Sequence, residues 1–133
     1  MISTDHCPFN TKGQKDVGIN DFTKIPNGAG GIENRLALVY TYGVLTKKIS
    51  LQQFVGLTST NAARIFDLYP QKGAIELGSD ADLVIWNPEE KSVISVKTQL
   101  QQCDSNIYDG MQIKGESEYV LRRGETILNP DIQ

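Results

Sequence analysis

Apolar positions fall into helical spacing from Ile32 onward. Ile32, Leu36, Val39, Tyr40 and Gly43 recur at three- and four-residue steps, and Leu38, Tyr42 and Leu45 widen the same face. Glu33 in the first turn and Lys47-Lys48 beyond the last suit the helix dipole. Ser50 reads as the N-cap of a second helix, with Gln53 as its capping-box partner and Leu51, Phe54, Val55 and Leu57 facing inward. A third helix is predicted to begin near Ser59-Thr60 and run toward Leu68, with Pro70 and Gly73 stopping it.

After Gly73 the pattern becomes that of strands. Asp82-Leu83-Val84-Ile85-Trp86 is a short apolar run between Gly78-Ser79-Asp80 and Asn87-Pro88, which predicts a buried strand. Val93-Ile94 opens another strand candidate. Glu118 to Ile127 reads as two strand pieces around a tight turn at Gly124, and Asn129-Pro130 ends the pattern. Residues 10–31 show no sustained period. Lys12-Gly13 and Pro26-Asn27-Gly28 are turn signals, and Gly28-Ala29-Gly30-Gly31 is permissive enough to wrap a ligand or lie idle on the surface. Helices followed by strands suggest an α+β domain or the junction of two domains. The strands are too few for a closed sandwich, and open sheet edges call for partner strands, so the chain is expected to be incomplete.

Composition narrows the function classes. The 133 residues carry a net charge of −3, with 39% hydrophobic and 22% charged residues. That is one ordinary globular domain's worth, without the basic footprint of a nucleic-acid binder or the polybasic patch of a membrane binder. No apolar run approaches bilayer-spanning length, and the N-terminus has no signal-peptide pattern, so a cytoplasmic location is expected. The two cysteines, Cys7 and Cys103, are far apart and read as reduced thiols.

Candidate chemistry sits at the start. In Ser3-Thr4-Asp5-His6-Cys7-Pro8-Phe9 an aspartate stands beside the chain's one histidine, just before a proline that cannot donate to a sheet. A carboxylate at a strand's C-terminal end suits a metal ligand or a catalytic base, and equally the cap of the following turn. Spacing alone leaves both open.

Asp5-His6-Cys7-Pro8-Phe9, Phe22-Thr23-Lys24-Ile25-Pro26-Asn27-Gly28 and Gly31-Ile32-Glu33-Asn34-Arg35 resemble the C-terminal part of the dihydropyrimidinases and D-hydantoinases. Thr58 to Ala63, Lys72-Gly73 to Gly78-Ser79-Asp80-Ala81-Asp82-Leu83-Val84-Ile85-Trp86, and Ser105 to Gly110 agree in order and spacing, so the resemblance covers nearly the whole chain. It implies an α/β architecture. Residues 1–72 would be the C-terminal end of an amidohydrolase (β/α)8 barrel, its last strand ending at Asp5 with helices following. Residues 73–133 would supply strands to a composite β-sandwich built from both chain ends. It also implies a metal-dependent hydrolase that opens dihydropyrimidines or hydantoins to N-carbamoyl amino acids.

The implied roles follow residue by residue. Asp5 would bind one of two zinc ions and take a proton from the hydroxide bridging them. Asn27 would contact the cyclic imide, through its backbone more than its side chain. His6, one step along a strand from Asp5, would face away from the metals and play a structural part. Cys7 is expected to be a buried thiol, Glu33 and Arg35 an ion pair or a solvated helix start, and Trp86 a core residue of the sandwich. Full-length members of the family are expected to be homotetramers. The other metal ligands have no counterpart here, so the chain alone is expected to be inactive. Two alternatives remain: a non-catalytic scaffold like the collapsin response mediator proteins, and an inactive truncated gene product.

Overall fold

Helix α2 (Leu51–Val55) begins where its side chains can close it. Ser50 Oγ accepts from the Gln53 N–H at 3.1 Å, and Gln53 Oε1 accepts from the Ser50 N–H at 2.8 Å, completing the expected capping box. A wider π turn, Gly56–Thr60, then carries the chain directly into α3 (Asn61–Ile65). Ser59-Thr60 therefore lies inside one helical run and starts nothing new. Thr60 has helical backbone angles, and its hydroxyl donates to the Gly73 carbonyl at 2.8 Å instead of capping. Helix α1 (Arg35–Val39) likewise passes into a π turn, Tyr40–Val44, and begins three residues later than Ile32.

Both helical runs end on the same device. The Lys48 and Lys47 N–H groups donate to the Gly43 and Val44 carbonyls, as the Leu68 and Asp67 N–H groups do to Ala63 and Arg64. Lys47 (φ 60°) and Asp67 (φ 55°) take the left-handed conformation this closure needs, where glycine is usual. Helix α3 thus stops ahead of Pro70 and Gly73.

The sheet has three strands in the order β1 (Leu83–Val93), β2 (Gln112–Arg122) and β3 (Glu125–Leu128). Strand β1 is longer than expected and passes through Asn87-Pro88, so Val93 is its last residue and not the opening of another strand. Among the described residues β1 is an edge, where a missing N–H is tolerated, and Asn87 Oδ1 accepts from the Glu89 N–H at 3.0 Å. Strands β2 and β3 pair antiparallel with Arg122 opposite Glu125. The two residues between, Arg123 (φ 51°) and Gly124 (φ 83°), both have positive φ, as a two-residue type I′ hairpin requires. The computed structural model describes residues 1–128; Asn129-Pro130, read from sequence as the end of the strand pattern, lies outside them.

Contacts divide the chain into two units. One comprises Met1–Ile2, Leu36–Lys91 and the stretch from Lys114; the other comprises Ser3–Arg35 and Ser92–Ile113. The first unit is centred on Tyr40, Phe54 and Trp86, whose ring centroids lie 5.4–6.2 Å apart in edge-on and tilted arrangements. Gly115 (φ 91°) lets β2 pass beneath them. A Cβ there would stand 2.7 Å from both the Trp86 and Tyr40 rings. Outside this cluster the apolar faces are open. Val84 and Ile85 are 49% and 50% exposed, so β1 is not the buried strand its sequence suggests, and Leu51 and Val55 are exposed rather than turned inward.

The Gly78-Ser79-Asp80-Ala81-Asp82 stretch is a clamp in the same unit. Lys72 Nζ pairs with Asp80 Oδ2 at 2.7 Å and with the Asp82 carboxylate. Asp82 Oδ1 also accepts from the Arg123 N–H at 2.7 Å, and the Gly124 N–H donates to the Ala81 carbonyl at 3.0 Å, fixing the β2–β3 turn. Hydrogen bonds from Lys72 hold both carboxyls below the usual aspartate value of 3.8, and those to Asp80 and then Asp82 raise Lys72 above 10.5. The carboxylates stabilise the fold above pH 3.8 and lose that contribution as pH falls through their lowered values. The Lys72 contribution is complete below 10.5 and is lost above it. Urea midpoints should therefore be flat across neutral pH and fall in acid. Lys72→Met, which removes the shared partner, should flatten the acid limb; an unchanged limb would discount the clamp.

Candidate active site

The second unit contains both residues singled out for chemistry. Asp5 is exposed and takes a left-handed backbone conformation (φ 45°), which aspartate tolerates better than most residues. The next residue, His6, makes a single parallel bridge to Ala29, and the Cys7 N–H donates to the Ala29 carbonyl at 3.0 Å. Pro8 has no N–H to continue the pairing. That bridge brings the stretch carrying Asp5 alongside the loop carrying Asn27, with Gly28 itself lying against Cys7. Asn27 is exposed, and the Pro26 carbonyl before it accepts from Lys15 Nζ at 2.9 Å. Gly28 (φ 130°) makes the approach possible. A Cβ there would lie 2.4 Å from the Cys7 carbonyl oxygen.

His6 fastens the far side of this loop. Its Nδ1 accepts from the Gly31 N–H at 3.1 Å and the Ile32 N–H at 3.3 Å. The Ile32 N–H is thereby drawn away from any helix, in keeping with the later start of α1. Glu33 forms neither an ion pair nor a solvated cap: its carboxylate accepts from the Leu100 and Gln101 N–H groups at 2.9 and 3.1 Å. Asp104 makes the matching grip in the other direction, accepting from the Thr11 and Lys12 N–H groups at 2.5 and 3.1 Å. These bonds, Thr11 first, hold its carboxyl below the ordinary value. The Phe9 carbonyl accepts from Cys103 Sγ and Ser105 Oγ, and Asn106 Nδ2 donates to Asn34 Oδ1 at 3.0 Å. Both cysteines are free thiols as expected, but Cys7 is exposed and not buried.

Among the described residues, no three or more histidine, cysteine, aspartate or glutamate side chains gather closely enough to hold an ion. A catalytic zinc takes about three protein ligands. Asp5 can offer one carboxylate, while His6 Nδ1 is already committed to two backbone amides. The described residues therefore do not make a metal centre by themselves.

Comparison with known proteins gives the family. Residues 1–127 match the amidohydrolase family. The chain belongs to that family. It is 48% identical over 129 residues to the dihydropyrimidinase of Rattus norvegicus, covering 97% of this chain and 25% of that protein. The D-hydantoinase of Ralstonia pickettii is 48% identical over 128 residues, 96% of this chain and 28% of its own length. In three dimensions the chain superposes on D-hydantoinase from Bacillus sp. AR9 with a TM-score of 0.93 and 48% identity, over 97% of this chain and 28% of that one. This amidohydrolase chain thus spans about a quarter of the length of the relatives it matches.

Within the amidohydrolase chain, sequence reasoning singled out Asp5, Asn27 and the glycines but not the long-range grips of the unit that contains them. Glu33 and Asp104 make these. Their partners lie 67 to 93 positions away, and no local pattern announces them. A charged cleft in the other unit, lined by Lys72, Asp82, Arg122, Arg123 and Glu125, contains none of the predicted site residues. Among the described residues no helix is long and apolar enough to cross a membrane.

Proposed function

We propose that this chain is part of a cyclic amidohydrolase that opens the ring of dihydropyrimidines or hydantoins. Water adds across the ring amide C–N bond: the carbonyl carbon becomes a carboxylate, and the nitrogen leaves, protonated, as the carbamoyl NH2 of an N-carbamoyl amino acid. The observation that carries the reading is the exposed, left-handed Asp5 on a stretch bridged to the Asn27-Gly28 loop, in a chain 48% identical to a dihydropyrimidinase. An acceptor carboxylate near a loop held in place suits proton transfer next to an oriented ring. Asp5 would carry the proton from the attacking water to the departing nitrogen, and the Asn27 main chain would orient the imide.

In the same proposal residues 1–72 close a (β/α)8 barrel and residues 73–133 contribute to a β-sandwich. The exposed Val84 and Ile85 then face further parts of that fold. Zinc, two ions per site, would be held by Asp5 together with ligands outside this chain, supplying Lewis acidity at the ring amide. The complete enzyme would be a cytoplasmic homotetramer.

Replacing the matching 28% of the Bacillus sp. AR9 D-hydantoinase with this chain tests the function. The graft should convert hydantoin or dihydrouracil to its N-carbamoyl product, identified by mass. A folded graft inert toward both would overturn the proposal.

A further inference from the structure

We propose that His6 is a positioning residue, resting on the ring-opening function above: its imidazole holds the substrate loop in register with Asp5. Several contacts join the Asp5 stretch to residues 28–32. The Cys7 N–H bonds the Ala29 carbonyl, Gly28 passes close over Cys7, and Gly31 lies against the Thr4 side chain. The one side chain that hydrogen-bonds across is His6, on whose Nδ1 the N–H groups of Gly31 and Ile32 converge. Accepting both bonds places the ring proton on Nε2.

The loop needs such a tie because Gly28, Gly30 and Gly31 leave it a large conformational freedom. Bound at Pro26 by Lys15 and at Ala29 by Cys7, with His6 fixing the residues just beyond, it presents Asn27 in one arrangement. Without the imidazole only a fraction of molecules hold that arrangement. Apparent affinity for the ring falls by that fraction, while the bound complex reacts as before. A merely structural histidine would lower stability without separating KM from kcat.

Three substitutions separate these cases. Asparagine can set its carbonyl oxygen where Nδ1 stands, glutamine sets it near Nε2, and alanine removes it. In the 133-residue chain, hydrogen exchange at the Gly31 and Ile32 amides should quicken by about tenfold in His6→Ala and His6→Gln and stay near the original in His6→Asn. In the grafted D-hydantoinase, His6→Ala should raise KM about tenfold and leave kcat within about twofold, and His6→Asn should restore KM. Unchanged exchange in His6→Ala, or a kcat loss that asparagine does not repair, would overturn the assignment. A native graft without turnover would sink the ring-opening function instead, and the exchange measurement would then decide alone whether His6 holds the loop.

Discussion

Asp5→Asn should lower the turnover of the grafted enzyme by about 10²-fold or more, the usual cost of removing a general base. Asparagine keeps the size of the side chain and tolerates the left-handed backbone at this position, so the substitution isolates charge and basicity from folding. The loss should fall mainly on kcat. Asp5 lies on the bridged stretch and not in the loop that orients the ring, so KM should move less. His6→Asn in the same background is the control, one residue along, with its hydrogen-bonding capacity retained at Nδ1. Equal losses from the two substitutions would move the proton relay away from Asp5, and an active Asp5→Asn enzyme would remove it.

Gly115→Ala should be strongly damaging to the first unit. The new Cβ would lie 2.7 Å from two aromatic rings, at a backbone φ of 91° that L-residues avoid. Overpacking and left-handed strain together should cost about 2–5 kcal/mol. Gly124→Ala separates the two terms. Its φ of 83° is similar but nothing lies within 4 Å, so only the strain, about 1–2 kcal/mol, should appear. Trp86 is the chain's one tryptophan and belongs to the cluster, so its emission during urea unfolding reports both variants directly. Similar midpoints for the two would show that Gly115 is needed for its φ and not for the rings.

How much of this was legible in the sequence depended on the reach of each interaction. The Ser50–Gln53 capping box and the Gly124 hairpin involve residues within three or four positions, and both were readable. Ser59-Thr60 looked like a helix start because its hydroxyls could cap, yet Thr60 spends its hydroxyl on Gly73, thirteen residues on. Pro88 looked like a strand terminator because edge position is a property of the sheet and not of the run that contains it. Val84 and Ile85 read as buried because their apolarity says that something covers them, not what. At the site, Asp5 and Asn27 were recognisable as motif residues. The bridging of their two stretches was not, since it depends on a glycine beneath Cys7 and backbone amides drawn to His6. The carboxylates of Glu33 and Asp104 were misread or passed over for the same reason. Each grips two consecutive amides far along the chain.

The central claim is that Asp5 and the Asn27 loop face one ring. A crystal structure of the grafted D-hydantoinase with a cyclic imide bound tests it most directly. The Asn27 main chain should lie at hydrogen-bonding distance from the imide, about 2.7–3.2 Å, with the Asp5 carboxylate on the same ring. An imide ordered in the pocket but contacting neither residue would contradict the account.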